Sequence, residues 1–296
     1  MLGFFIFDHT PMSFSGAFEA VFKGFDISVD KELVDQLSLQ GAQGFVLIKK
    51  SGYFLIFSGL GTGISLITSY LGVLTALFFL SAIDRGARSI LALIVTFFFL
   101  GRLISLARFL YRHKKTYHTA IILNAGVVKQ SIDYTDDAFR DIIDRTSSLV
   151  ILNGLYCIFA VIILIVMRDN FDTISILLLL GTIAFMIRQQ YALGQLLLLC
   201  IDLAMDFLLF TESVIKFYDQ QSFGVSSSTI ALTDLKSIAS QKTSLVQSFL
   251  DFGTITFTLS GTDSLGTIVM PYIKSPENVE RAINIIQNRQ GTPLRS

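Results

Sequence analysis

The sequence lacks tryptophan, and its 296 residues include only two cysteines and three histidines. Cys157 and Cys200 both lie inside apolar runs, which favours small buried side chains over a disulfide or a metal ligand. His9, His113 and His118 stand at no metal-ligand spacing from cysteines or carboxylates. We therefore predict a chain that binds neither a metal ion nor another cofactor.

Charged residues are also scarce, at 16% of the chain, and the 23 basic residues balance the 23 acidic ones. A chain with this balance has no strong overall field, which argues against nucleic acid as a partner. Apolar residues, in contrast, make up 52% of the chain, more than soluble globular domains usually carry. Part of the chain is therefore expected to lie in lipid, so the bilayer is its first predicted partner.

Four apolar stretches have the character of membrane helices, each of which needs about 20 residues to cross the hydrocarbon core. The fourth has only 14 residues before Arg188, so its far end could be more of the same helix or a helix that gives way to a strand near Met205. We predict a membrane α-helical region over 51–203, with about four spans in two hairpins at 53–80, 89–109, 149–167 and 172–190.

Basic residues beside the first two spans predict the orientation of the chain. Lys49 and Lys50 precede the first span, and the densest basic cluster, YRHKKTYH, follows the second. Because Lys and Arg accumulate on the cytoplasmic side, we expect a multi-pass cell-membrane protein with both termini in the cytoplasm. The 1–50 segment, with a short amphipathic helix, and the 110–148 loop would share that side. The cluster also supplies candidate contacts to anionic lipid headgroups, namely Arg108, Arg112, Lys114 and Lys115.

From about Ala204 the pattern changes from continuous apolar runs to alternation. In TITFTLS, apolar and polar residues alternate, which is typical of a half-buried antiparallel strand. DFLLF, SVIKFY, SSSTIAL, LKSIAS and GTIVMPYI read as further strands with glycines at the turns. In SPENVERAINIIQNRQG, Ser275 stands at the N-cap and Pro276 at the first helical position. One apolar face of this predicted helix consists of Val279, Ala282, Ile283 and Ile286.

This order of strands and a terminal helix behind membrane hairpins resembles the bacterial membrane-flanked pleckstrin-homology-like (PH-like) domain family. The resemblance covers about residues 204–287 and is carried by LLFT, VIKFY, the glycine of SFGVSSS, IALTDLKSIASQ, SFLDFGTITFTLSG and SPENVERAI. It implies a small PH-like β-sheet or barrel over 204–290, closed by one α-helix and followed by a 291–296 tail. It also implies a non-enzymatic binding or assembly module whose partner is a protein, a peptide or a second copy of the chain. Glu212 and Ser213 replace the basic residues usual there, and many relatives have two spans rather than four.

Two short motifs suggest nucleotide chemistry, and the rest of the chain supports neither. A kinase with the DFG triplet of Asp251 to Gly253 also needs a glycine-rich phosphate loop, a strand lysine and a histidine-arginine-aspartate loop, and the chain has none of these. We interpret DFG as a turn that opens a strand. GLGTGIS lies in a membrane-grade run, where Gly59 and Gly63 share one helix face and are candidates for close helix packing.

Asp202 and Asp206 stand four residues apart near the end of the last apolar stretch. Carboxylates at membrane depth would indicate ion or proton handling, and the chain would then be a small transporter or channel subunit. The other interpretation places both at the cytoplasmic interface, because no basic partner is evident in the other spans. Under this second interpretation, the predicted function remains that of a non-catalytic PH-like binding module.

A faint internal echo relates the two hairpins. YHTAIILNAGVVKQS after the second span resembles MDFLLFTESVIKFYD after the fourth. The echo records either a duplicated hairpin-plus-strand unit or a chance likeness of two apolar stretches.

Overall fold

The computed structural model describes residues 44–83, 87–113, 119–123, 136–166, 173–221, 224–260 and 266–289. The predicted amphipathic helix of the 1–50 segment, the 291–296 tail, Lys114 and Lys115 lie outside these residues. The described chain consists of long helices, two antiparallel sheets and two shorter helices toward the C-terminus.

Four long helices form the first part of the fold: α1 (Tyr53–Ile83), α2 (Ala87–His113), α3 (Asp136–Val166) and α4 (Thr173–Met205). Within the described residues, three segments are long and apolar enough to cross a membrane, Tyr53–Phe79, Asp141–Ile162 and Ile176–Ala204. Their outward faces remain apolar, with exposed side chains such as Leu60, Phe159 and Leu177. A helix that is apolar all round is either a core helix of a large protein or a membrane span, and these three segments have the length and composition that a span requires.

The bounds of the last two long helices differ from the predicted spans. Helix α3 begins at Asp136, within the predicted 110–148 loop, because Ile142 and Ile143 are buried among residues at the start of α1 and the end of α4. Helix α4 passes through Arg188 without a break, and the Arg188 Nε donates a hydrogen bond to the Ser65 Oγ of α1 at 3.0 Å. Both alternatives for its far end prove right, since the helix continues to Met205 and a strand begins at Phe207.

A five-stranded antiparallel sheet gathers three separate parts of the chain. Its strands are β1 (Gly44–Lys49), β2 (Ala120–Leu123), β3 (Phe207–Thr211), β4 (Val214–Gln221) and β5 (Gly224–Ala231), in the order β2-β1-β3-β4-β5. The sheet therefore includes strands from before α1 and after α2, whereas the sequence placed the whole sheet after residue 204. Strand β1 is buried along its length, which is why GFVLIK shows a continuous apolar run rather than alternation.

A second sheet and two helices complete the C-terminal part. Strands β6 (Leu235–Gln241), β7 (Phe252–Leu259) and β8 (Thr267–Lys274) pair antiparallel in that order. Helix α5 (Leu245–Leu250) lies between β6 and β7, and α6 (Pro276–Arg289) follows β8. All six strands predicted after Ala204 are confirmed as β3 to β8, whereas α5 was not predicted.

The two sheets and α6 share one hydrophobic core. The predicted apolar face of α6, formed by Val279, Ala282, Ile283 and Ile286, is buried in it. Val46 and Ile48 of β1 and Ile121 of β2 belong to the same core. The helix packs against β6 and β7 of one sheet and against β1 and β2 of the other. The ends of the membrane helices are therefore joined to the C-terminal fold by strand pairing and by core packing.

Candidate functional site

A buried lysine lies where the sheet meets the helices. Lys50 follows β1, and its Nζ donates hydrogen bonds to the Asp202 Oδ1 at 2.9 Å and to the Asp206 Oδ2. Asp202 is in the last turn of α4, and Asp206 stands between α4 and β3. The lysine ammonium therefore ties the start of α1 to the end of α4, and we call Lys50, Asp202 and Asp206 the junction cluster.

The junction cluster includes a basic partner that the sequence did not reveal. No basic partner for the two aspartates was expected in the other spans, and the partner is Lys50, which lies just outside a span. Lys49 pairs with Phe207 across β1 and β3. Lys50, which follows Lys49, is therefore brought next to Asp206, which precedes Phe207. The sequence could reveal this contact only after the pairing of β1 with β3 was known.

Burial and charge compete in this cluster. Burial lowers the pKa of Lys50, but the carboxylates of Asp206 and Asp202 outweigh that effect and hold the pKa above its ordinary value. Burial raises the pKa of Asp206 to about 6, and the neighbouring Asp202 adds to the rise against the opposing effect of Lys50. The Lys50 ammonium also lies 4.6 Å from the centre of the Phe54 ring, a distance at which a cation is attracted to an aromatic face.

Beside the cluster, aromatic rings join the second sheet to the beginning of α1. The Phe252 ring lies 5.2 Å from that of Tyr53 and 5.3 Å from that of Phe57, centre to centre. The Tyr272 ring lies 5.5 Å from that of Phe54. The Ser51 N–H donates to the Tyr272 carbonyl oxygen at 2.7 Å. The start of β7 and the end of β8 are thus fixed at the point where α1 begins.

The DFG triplet has a structural role at this place. Asp251 has a φ of 53° and ends α5, and β7 begins at Phe252, so the predicted turn before a strand is confirmed. The Lys242 Nζ donates to the Asp251 Oδ1 at 2.9 Å, and the Ser275 hydroxyl donates to the Asp251 Oδ2. Burial raises the pKa of Asp251, but the hydrogen bonds from Lys242 and Ser275 prevail and lower it. Ser275 precedes α6 as predicted, with its hydroxyl directed to Asp251.

A hydrogen-bonded polar network crosses the interior of the long helices, and the sequence analysis did not identify it. The Tyr70 hydroxyl donates to the Asn153 Oδ1 at 2.9 Å, and the Asn153 Nδ2 donates to the Gln190 Oε1 at 3.2 Å. The Gln190 Nε2 donates in turn to the Val150 carbonyl at 3.0 Å. Such bonds between apolar helices hold the helices together where no water competes. In the sequence, the signal for this network was the presence of single polar residues within apolar runs, in NGLYC and IRQQY.

The glycines of α1 differ in how closely side chains of the other helices approach them. A Cβ at Gly63 would meet no heavy atom within 4 Å, and one at Gly59 would make ordinary contact with the Leu199 Cδ1 at 3.7 Å. A Cβ at Gly72 would lie 2.6 Å from two carbons of the Phe185 ring. The Phe185 ring of α4 therefore packs against α1 at Gly72, in the space that a side chain would fill.

Of the four basic residues predicted to contact lipid headgroups, the structure describes Arg108 and Arg112. Arg108 and Arg112 are exposed near the end of α2, a position compatible with lipid headgroups. Cys200 is buried, Cys157 is half-buried, and both are free thiols. In the part of the chain that the structure describes, no group of three His, Cys, Asp or Glu side chains could hold a metal ion.

Comparison of the chain with protein-family models, with curated proteins and with solved structures finds no match. The arguments for function therefore come from the geometry of the chain itself. The class that this geometry defines is a protein with helices long and apolar enough to cross a membrane, whose antiparallel sheets are joined to those helices.

Proposed function

We propose that the chain is a four-span membrane anchor that presents a cytoplasmic PH-like module, which binds a protein, a peptide or a second copy of the chain without catalysis. The observation that carries the proposal is the pairing of β1 and β2 with the strands that follow α4. Through this pairing, strands that flank the membrane hairpins form part of the binding module. The module is therefore continuous with the hairpin ends and is not attached to them by a linker.

The strand pairing supports an even number of crossings. Strand β1 precedes α1, β2 follows α2, and the two strands pair from Gly44 with Leu123 to Leu47 with Ala120. Helices α1 and α2 have 31 and 27 residues, or about 46 and 40 Å at about 1.5 Å per residue. Because α1 carries the chain that far from the sheet, α2 must carry it back before β2 can pair with β1. The same reasoning applies to α3 and α4, because β3 follows α4 directly.

The PH-like assignment is supported by the order of the elements. Successive antiparallel strands form two small sheets, and the terminal helix α6 packs against both of them. The basic clusters near the sheet side of α1 and α2 support a cytoplasmic position for the module.

The five-stranded sheet has two edge strands, β2 with four residues and β5 with eight, and the longer outer edge of β5 is our candidate for strand addition. Within the described residues, β5 is hydrogen-bonded along its eight residues to β4 alone. The edge of β6 is engaged by Glu280, which accepts from the Ser240 N–H at 3.1 Å, and β8 is engaged by Ser51. An unpaired strand edge can accept an added strand through main-chain hydrogen bonds.

The alternative function, a transporter or channel subunit that uses Asp202 and Asp206, has weaker support. Both carboxylates accept hydrogen bonds from Lys50 at the sheet end of α4. Ion handling would require them to release that ammonium at every cycle.

The test of the binding function is photo-crosslinking in native membranes. A photoreactive residue is introduced at Ala231, exposed at the end of β5, and in a matched protein at Thr233, exposed in the following turn. We expect a discrete adduct from position 231 and none from position 233, with mass spectrometry identifying either a partner or the same chain.

Two proline variants, Ser228→Pro and Thr229→Pro, sharpen the test. Alternate residues of an edge strand direct the N–H outward, so one of the two variants removes only an outward donor. We expect that variant to keep the melting temperature and to lose the adduct. Absence of an adduct at position 231, or its persistence in both variants, would contradict the binding function.

A further inference from the structure

Helix α5 presents an apolar face with no partner in the described chain. Leu245 is 90% exposed and Phe249 is 88% exposed, and Val246 is also exposed. Leu245 and Phe249 stand four residues apart and Val246 and Phe249 three apart, so the three side chains share one side of the helix. Among the described residues from 207 onward, Val269 is the other large hydrophobic residue that is exposed.

This face is held in a defined position even though α5 buries none of its residues. The Gln247 N–H donates to the Ser244 Oγ at 3.1 Å, and the Thr243 hydroxyl donates to the Gln247 Oε1 at 3.0 Å, so the beginning of the helix is capped. The Asp251 N–H donates to the Gln247 carbonyl, and Lys242 bridges to Asp251 across the base of the loop. Because α5 buries none of its residues, packing in a core does not explain why it carries Leu245, Val246 and Phe249.

Helix α5 is followed closely in the chain by a residue that packs against the start of α1. Phe249 is three residues before Phe252, hence within about 11 Å along the chain, and Phe252 packs on Tyr53 and Phe57 at the start of α1. Phe57 is itself partly exposed and is followed one turn later by the exposed Leu60. The apolar face of α5 therefore lies close in the chain to a residue that packs on the exposed apolar start of α1.

We propose that α5 inserts Leu245, Val246 and Phe249 into the boundary between headgroups and acyl chains of the bilayer, next to the start of α1. The helix sequence LVQSFL carries no charge that would resist this position. Apolar helix faces and aromatic rings are favoured at that boundary. The inserted helix holds the second sheet against the membrane and fixes the tilt of the module. The inference rests on the membrane position of α1 and is independent of the partner proposed for β5.

The absence of tryptophan from the chain makes the inference directly measurable. Phe249→Trp in the full-length protein, reconstituted in phosphatidylcholine vesicles, introduces a single fluorophore whose quenching by brominated acyl chains reports contact with lipid. Leu60→Trp is the reference for a lipid-facing position on α1. Val269→Trp is the matched control, because Val269 is also apolar and 54% exposed but lies on β8. Leu245→Trp gives a second reading of the same face.

We expect the quenching of Phe249→Trp and Leu245→Trp to approach that of Leu60→Trp and to exceed that of Val269→Trp by at least threefold. A blue-shifted emission without quenching would mean that protein covers the face, either a partner or a second copy, and would overturn the inference. Water-like emission without quenching would overturn it as well, and so would equal quenching at positions 249 and 269.

Discussion

At the scale of single residues, the junction cluster is the contact that determines how the helices meet the sheet. Lys50, Asp202 and Asp206 come from two chain segments separated by about 150 residues, since their hydrogen bonds span 152 and 156 positions. Removing one partner of a buried charge pair is costly, because the remaining charge loses its compensation. The cluster therefore favours the observed meeting of β1 and β3 over other arrangements of the same apolar segments.

The pKa of Asp206 predicts a specific pH dependence of stability. It is raised to about 6 in the folded protein, whereas an unfolded aspartate titrates near about 4. Between these values the folded state retains a proton that the unfolded state has released, so the contribution of Asp206 to stability falls as pH rises through this window. Relative to Asp206→Asn, we expect the free energy of unfolding of the wild type to fall by about 2 kcal/mol from pH ~4 to pH ~6.

Chemical denaturation in a mild detergent at a series of pH values measures this difference. Asp141→Asn is the control, because Asp141 forms a surface pair with Arg145 and both side chains are substantially exposed. A pH dependence that Asp141→Asn retains and Asp206→Asn loses is then assigned to Asp206. Parallel profiles for the wild type and Asp206→Asn would show that burial does not perturb this carboxyl.

At the scale of secondary structure elements, strand β1 decides whether the C-terminal fold is independent. Val46 and Ile48 of β1 and Ile121 of β2 are buried in the core that the two sheets share. Burying the two side chains of β1 contributes about 3–6 kcal/mol, a large part of the whole stability of a typical domain, about 5–15 kcal/mol. The region beginning at residue 204 is therefore an incomplete folding unit.

A fragment of residues 204–289 should for this reason show no cooperative unfolding in urea. Lys49 and Phe207 face each other at the ends of β1 and β3, so residues 44–50 can be joined to 206–289 by Asn-Gly as a hairpin. We expect this fusion to unfold cooperatively, as followed by circular dichroism, because β1 again fills the core. Equal stability of the two fragments would show that β1 is dispensable.

At the scale of the whole molecule, strand pairing predicts the membrane topology. Single cysteines are placed at Asn170, in the polar turn between the last two apolar stretches, and at Ser237, exposed on β6. The background lacks Cys157 and Cys200. With four spans and a cytoplasmic sheet, an impermeant thiol reagent added to intact cells should label position 170 alone, and position 237 only after lysis.

Labelling at position 237 in intact cells would place the sheets outside and would contradict the cytoplasmic orientation. Failure to label position 170 in intact cells, with labelling after lysis, would contradict the crossing of α3. The two positions therefore test the orientation and the number of crossings separately.

The internal echo acquires a physical meaning at this scale. AIIL of the first copy is strand β2 after α2, and FLLFT of the second is strand β3 after α4. Both strands flank β1 in one sheet. The structure thus gives the two copies equivalent positions on either side of a shared strand, and it is compatible with either origin of the echo.

Local patterns were enough to predict much of this protein. Continuous apolar runs predicted membrane helices, alternation in TITFTLS predicted β7, and helical spacing from Val279 to Ile286 predicted the buried face of α6. These features depend on residues that are near neighbours in the chain, because helix and strand periodicity are local. The structure decided what depends on distant residues: the pairing of β1 and β2 with β3, the partner of Asp202 and Asp206, and the packing of Phe185 on Gly72. None of these contacts has a local signature, because each becomes favourable only after two remote segments share one core.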